Sequence, residues 1–151
     1  MNCVKQLNEP YIAAPAFRRV YTSYTLVDEI LNRYHDKLKG GGIILRVKGD
    51  EISRCVLNDS QIREILTESL AMAEEAVTGC RWSYMRYVQL DNMVAQKKQF
   101  LKITYPCENI QNIQNIHYQN LSGILKKKNG YIRMESKEDE NVLMIAVGTK
   151  C

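Results

Sequence analysis

Apolar side chains recur at spacings of three and four residues in two long segments of the chain, residues 24–38 and 59–77. This period places them along one stripe of a helix, so each segment is predicted to be an amphipathic helix that buries its stripe. The first stripe consists of Leu26, Val27, Ile30, Leu31, Tyr34 and Leu38. The second consists of Ile62, Ile65, Leu66, Ser69, Leu70, Ala73 and Val77.

Short polar residues and glycines mark the predicted ends of both helices. The glycines at 40–42 are expected to end the first helix, and the Thr78-Gly79 pair the second, because glycine enters left-handed backbone conformations without steric cost. At each start, a side-chain oxygen is expected to accept hydrogen bonds from the free amides of the first turn. The candidates for these caps are Thr22 or Ser23 in the first helix and Asn58, Asp59 or Ser60 in the second.

Runs of β-branched and aromatic residues predict strands around the second helix. A strand at residues 43–48 precedes it and ends in a turn at Gly49-Asp50. After it, residues 84–90 and 99–105 are predicted to pair as an antiparallel hairpin that is joined around Asp91-Asn92.

The last third of the chain is predicted to contain a short helix and a second hairpin. Residues 108–120 are rich in Asn and Gln, which favours a loop with an irregular helical turn. The short helix then runs through Leu121, Ile124 and Leu125 and ends at Asn129-Gly130. Residues 131–135 and 142–147 form the hairpin, with its turn in the charged segment 137–141.

The predicted order is helix, strand, helix, strand, strand, helix, strand, strand. Strands mixed with helices on one side give an α+β fold, a two-layer sandwich in which helices cover one face of the sheet. A chain of 151 residues fits one domain, which we place at residues 23–151. Residues 1–22 hold two of the three prolines and no sustained period, so they are predicted to be an N-terminal arm.

Composition and charge exclude several functional classes. A net charge of +4, without long basic runs, is too small to indicate a nucleic-acid partner. The five cysteines are scattered and form no C-x-x-C pair, which favours reduced thiols in a cytoplasmic protein over a disulfide framework or a metal site. No run approaches the ~18–20 apolar residues of a membrane span. We therefore expect no membrane segment in this chain.

The order of elements and four local segments resemble the ATP-binding domain of bacterial sensor histidine kinases of the GHKL type, the Bergerat fold. These segments are residues 24–31, 42–45, 59–76 and 128–132, and the resemblance covers residues 20–148. It implies a mixed, mostly antiparallel sheet with helices on one face. It also implies ATP and magnesium as ligands and a role in two-component signal transduction.

The resemblance places the family's magnesium residues at Glu68 and Met72. The family carries Asn-x-x-x-Asn-Ala on its long helix, where residues four apart share one face, and an alignment anchored on Glu75-Ala76 gives these two positions. Glu68 retains an oxygen that could contact a metal, whereas the Met72 thioether is a soft, weak acceptor and magnesium takes hard oxygen ligands. The implied nucleotide positions on this helix are Glu68, Met72 and Glu75.

The two glycine motifs of the family are replaced. In the family, the strand corresponding to residues 99–105 is followed by Asp-x-Gly-x-Gly, but the following residues here contain no glycine. Asn115 and His117 stand where the second motif has glycines, ahead of the short helix. The remaining positions that match the family's nucleotide site are Glu108, Asn109 and Asn120.

Two functions remain open from the sequence. The first is the cytoplasmic ATP-binding and catalytic-type domain of a sensor histidine kinase, either free or the soluble part of a membrane-anchored protein, with weak or lost ATP binding. The second is a pseudo-ATPase without cofactor that acts through protein contacts. Other kinase domains or a response regulator are the implied partners, and a homodimer is open. No catalytic residue is predicted. In the family the phosphorylated histidine lies on a separate dimerisation helix, and neither His35 nor His117 corresponds to it.

Overall fold

The computed structural model describes residues 19–49, 56–80, 86–107, 115–137 and 139–149. Three helices and five strands follow one another in the order predicted from the sequence. They are α1 (Thr25–Gly40), β1 (Ile44–Lys48), α2 (Asp59–Thr78), β2 (Tyr87–Ala95), β3 (Lys98–Pro106), α3 (Ile116–Lys126), β4 (Tyr131–Lys137) and β5 (Glu140–Gly148). Among the residues in these ranges, no helix is long and apolar enough to cross a membrane.

The five strands form one sheet in the order β1-β2-β3-β5-β4. β1 and β2 are parallel, and the three other neighbouring pairs are antiparallel. Burial alternates along the central strands, whose inward side chains, such as Leu90 and Ile103, belong to the same core as the helix stripes. The prediction of a two-layer α+β sandwich with a mixed, mostly antiparallel sheet is therefore confirmed.

The apolar stripe of α2 lies at the centre of the core. All seven residues predicted for this stripe are buried, as are those of α1 except Leu26, which is half-buried. The helix begins with a capping box, in which the Asn58 side chain accepts from the Gln61 amide (2.8 Å) and the Gln61 side chain accepts from the Asn58 amide (3.0 Å). The helix ends at Gly79 as predicted, but Gly79 has φ −78° and ψ −8°, so the left-handed conformation expected of this glycine is not adopted.

The prediction that Thr22 or Ser23 caps α1 is wrong. The N-cap is Tyr24, which makes no capping hydrogen bond through its side chain. Asp28, one turn into the helix, instead accepts through Oδ1 from the Thr22 amide (2.8 Å) and hydroxyl (2.9 Å). Thr22 thus folds the entering chain back onto α1. The proposed domain start at residue 23 stays a prediction.

The turn of the first hairpin was also predicted wrongly. Asp91 and Asn92 lie inside β2, where they pair with Lys102 and Leu101 of β3. The turn is formed by Gln96 and Lys97, which both adopt positive φ, 51° and 63°. Opposite charges directly across an antiparallel pair stabilise it, so Asp91 extends the ladder instead of ending it.

The third helix starts earlier than predicted. α3 begins at Ile116, so residues 116–120 are helical, because Asn115 caps the first turn. The closing hairpin of β4 and β5 is confirmed, with longer strands than expected. The predicted features at Asp50, at residues 84–85 and at residues 108–114 lie outside the described residues.

Candidate functional site

The three positions that the resemblance implies on α2 share one side of this helix. Residues 68, 72 and 75 are four and three apart, so they project in nearly the same direction over two turns. α2 packs against α3. Glu68 and Glu75 contact the first turns of α3 and keep 18% and 61% of their side chains exposed, whereas Met72 is fully buried.

His117, the second residue of α3, lies between the two carboxylates. Its Nδ1 is 2.8 Å from Glu68 Oε1, and its Nε2 is 2.7 Å from Glu75 Oε2. A neutral imidazole has one donor and one acceptor nitrogen, whereas both nitrogens of the protonated ring donate. Because an ionised carboxylate can only accept, this geometry corresponds to an imidazolium that donates to both glutamates.

The protonated form of His117 is favoured by its partners. Burial is the largest single influence and lowers the pKa of His117, but the hydrogen bonds and charges of Glu68 and Glu75 together raise it, so that the pKa lies above its ordinary value. A cation at a helix N-terminus is disfavoured by the helix dipole. The two carboxylates are therefore what stabilises the charged ring at this position.

We expect the contribution of His117 to stability to depend on pH. The folded-state pKa lies above the unfolded one, so this contribution is fully present below pH ~6.5 and is lost as the pH rises through the folded-state pKa. Urea denaturation of the wild type and His117→Gln should show a larger difference in unfolding free energy at pH 6 than at pH 8.5. A difference that is constant or grows with pH would contradict the ion-pair geometry.

The wild type must be compared with His117→Gln because the second histidine, His35, also makes stability depend on pH. Its pKa is lowered, mainly by burial, so the folded state favours neutral His35 and its contribution is lost as the pH falls. This dependence is opposite in sign to that of His117 and is common to both proteins. The difference between them therefore isolates the His117 ring.

Two further polar side chains at the start of α3, Asn115 and Asn120, also make hydrogen bonds within the protein. Asn120 donates through Nδ2 to Glu68 Oε2, so both oxygens of this carboxylate have a protein partner. The Asn115 side chain accepts from the amides of His117 (2.8 Å) and Tyr118 (3.4 Å). The structure thus brings together three of the predicted site residues, Glu68, Glu75 and Asn120, around His117.

The described part of the interior between α2 and β3 is filled by side chains. Met72, Ile103 and Tyr105 are each 0% exposed, and burial raises the pKa of the Tyr105 phenol, which stays neutral. A mostly apolar cavity between the helices and the sheet has a volume of about 30 Å³ and is lined by residues including Leu66 and Leu101. Ligand pockets have about 300–1,000 Å³, so this cavity is too small for a nucleotide, but none of the candidate site residues lines it. Of these residues, Asn120 lines an open surface groove of about 350 Å³ between α2 and α3, together with Gln61 and Glu64.

The placement of the remaining site residues stays a prediction. Glu108 and Asn109 lie outside the described residues. They belong to the segment after β3, where the resemblance puts the adenine-binding motif. The described part of the candidate site therefore consists of Glu68, Glu75 and Asn120 with their hydrogen bonds, and of the buried Met72.

The described residues do not fit a magnesium ion with its nucleotide. Magnesium requires near-octahedral oxygen ligands, but the Glu68 oxygens are engaged by His117 and Asn120, and the Met72 position offers only sulfur. Over the described ranges, no group of three or more His, Cys, Asp or Glu is arranged to hold a metal ion.

Comparisons by sequence find no relative, since no family model and no curated protein matches the chain. Comparisons of structure do find relatives. The catalytic domain of histidine kinase ThkA, in a nucleotide-free form, is similar with a TM-score of 0.70 and 13% identity, over 83% of this chain and 92% of that one. This chain has the fold of a histidine kinase catalytic domain.

Two further histidine kinases show the same fold. Acinetobacter baumannii AdeS is similar with a TM-score of 0.66 and 14% identity, over 84% of this chain and 64% of AdeS. The histidine kinase domain from the Erythrobacter litoralis EL346 blue-light activated histidine kinase gives a TM-score of 0.65 and 13% identity, over 81% of this chain and 62% of that one. The chain spans less than two thirds of these two proteins. The kinase-type fold expected from the resemblance is confirmed.

Proposed function

We propose that this chain is the ATP-binding-type domain of a sensor histidine kinase in two-component signal transduction, and that its affinity for ATP is weak or lost. The kinase-type fold supports the first part. One observation supports the second: the His117 side chain is hydrogen-bonded to both Glu68 and Glu75, at positions to which the resemblance assigns the family's magnesium and phosphate contacts.

Electrostatics at this position oppose a triphosphate. With a protonated His117, the three side chains carry a net charge of −1, and with a neutral ring they carry −2. Two like charges 4 Å apart near a protein surface repel by about 4 kcal/mol. In addition, Asn115 occupies two amides of the α3 N-terminus, the groups with which a helix usually binds phosphate. A nucleotide would have to displace both arrangements.

A domain of this fold that binds nucleotide weakly would exert its function through contacts with other proteins. The partners that we propose are other kinase domains, including a second copy of this chain, or a response regulator. Ile116, beside His117, is 61% exposed, so it does not fill the site and remains available to a partner. Isoleucine recurs at every third position here, at 110, 113 and 116. Ile110 and Ile113 lie outside the described residues.

We expect no thermal shift when the whole chain is titrated with ATP and magnesium up to about 1 mM. A domain with a Kd of about 10 μM would gain about 2.7 kcal/mol at 100 times its Kd. For a domain of this size that corresponds to a rise in Tm of roughly 5–10 °C. Magnesium alone and ATP with a chelator are the matched controls, and a magnesium-dependent rise of several degrees would refute the proposed loss of binding.

A further inference from the structure

The first turn of α3 is held on α2 mainly by polar contacts. Ile116, at the start of the helix, is 61% exposed, and the fully buried residues of α3, Leu121 and Leu125, come one and two turns later. In the first turn, only Tyr118 is a partly buried apolar side chain that packs against the core. The position of this turn therefore depends on the hydrogen bonds that it makes.

Those hydrogen bonds converge on two acceptors, both on α2. His117 donates to Glu68 and Glu75, which are two helical turns apart, and Asn120 donates to Glu68. The His117 ring is 15% exposed, which shields its contacts from solvent. A single cationic ring thus spans two turns of α2.

We propose that His117 is an internal tie between α3 and α2, whose imidazolium takes the place of a bound ligand in holding these helices together. The proposal rests on the proposed function, because it concerns the same site and explains how the site stays closed without a ligand. The first turn of α3 is then ordered in the free protein. Adding ATP and magnesium should leave the hydrogen bonds of this turn unchanged.

Hydrogen exchange tests the tie directly. The Gln119 amide donates to the Asn115 carbonyl (3.0 Å) and reports whether the first turn of α3 is formed. His117→Ala should lower the protection factor of this amide by roughly tenfold to a hundredfold at pH 6, the range for hydrogen bonds to charged groups. Alanine is the best helix former, so a loss of helix propensity cannot produce this result. Protection in α2 should stay within about twofold of the wild-type value.

A double-mutant cycle with Glu75→Gln shows whether the effect passes through the contact. In the His117→Ala background, Glu75→Gln should change protection by less than about twofold, although it lowers protection in the wild type. His117→Arg should restore protection, since a guanidinium can donate to two carboxylates and keeps its charge. His35→Gln, which changes the other histidine, should leave the Gln119 amide unaffected.

Two results would overturn the tie: unchanged protection of Gln119 in His117→Ala, or multiplicative effects of the two substitutions. Neither depends on nucleotide. If the wild type binds ATP with magnesium, the proposed loss of ATP binding is wrong. The double-mutant cycle still measures the contact between His117 and Glu75 in that case. If ATP does not bind and the cycle shows no coupling, the proposed function stands and the tie fails.

Discussion

Met72→Asn, which introduces the residue that the resemblance gives for the family's motif, is expected to destabilise the fold by roughly 3–8 kcal/mol. Met72 is 0% exposed and belongs to the central core. Removing a buried side chain of this size costs about 2–5 kcal/mol through lost contacts and a cavity. A buried amide that lacks hydrogen-bond partners adds about 1–3 kcal/mol. Urea denaturation of both proteins at one pH measures the difference.

Met72→Leu is the matched control. Leucine conserves the volume and apolar character of the side chain, so the loss should stay below about 1.5 kcal/mol. Met72→Asn should also fail to bind ATP with magnesium, because Glu68, Glu75 and His117 remain in place. If the asparagine variant were as stable as the leucine variant, the position would be accessible to water and the description of the site as closed would be wrong.

Local sequence signals predicted the helices and the order of elements well. The stripe of α2 and its N-cap lie within one continuous segment, so periodicity predicted the helix and Asn58 was among the three candidate caps, although the reciprocal bond to the Gln61 side chain was not predicted. The same holds for the end of α1 at its glycines, where Gly42 has φ +76°. These features depend on neighbouring residues and were visible before any tertiary contact was known.

The errors at α1 and in the first hairpin came from signals that tertiary or cross-strand contacts override. Asp91-Asn92 has turn-forming residues, yet both side chains suit a strand once β3 is alongside. Gln96 and Lys97 adopt left-handed conformations that glycine or asparagine usually occupies. Their sequence alone gave no indication of a turn.

The candidate site could be predicted only in part. The sequence identified Glu68, Glu75 and Asn120 through the resemblance, and it identified His117 as a replaced glycine. The pairing of His117 with residues 42 and 49 positions earlier depends on the docking of α3 on α2. The one available sequence signal was the spacing of Glu68 and Glu75, which places two carboxylates on one side of a helix.

Gly49→Ala is expected to lower the unfolding free energy by roughly 2–4 kcal/mol. Gly49 follows β1 and has φ +80°, a conformation that strains residues with a Cβ. A Cβ at this position would lie 2.2 Å from the backbone carbonyl oxygen of Asn92, which is held within the β2 ladder. Relief requires the end of β1 to move away from β2. Thermal unfolding should show a decrease in Tm of roughly 5–15 °C.

Gly123→Ala provides the opposite case in the same protein. Gly123 lies within α3, and a Cβ there meets no atom within 4 Å. Alanine in a helix interior is favoured over glycine by about 0.5–1 kcal/mol, so this variant should be more stable than the wild type.

A Gly49→Ala protein with wild-type stability would show that β1 joins β2 less closely than the Lys48 and Asp91 register implies, since that register brings Gly49 against Asn92.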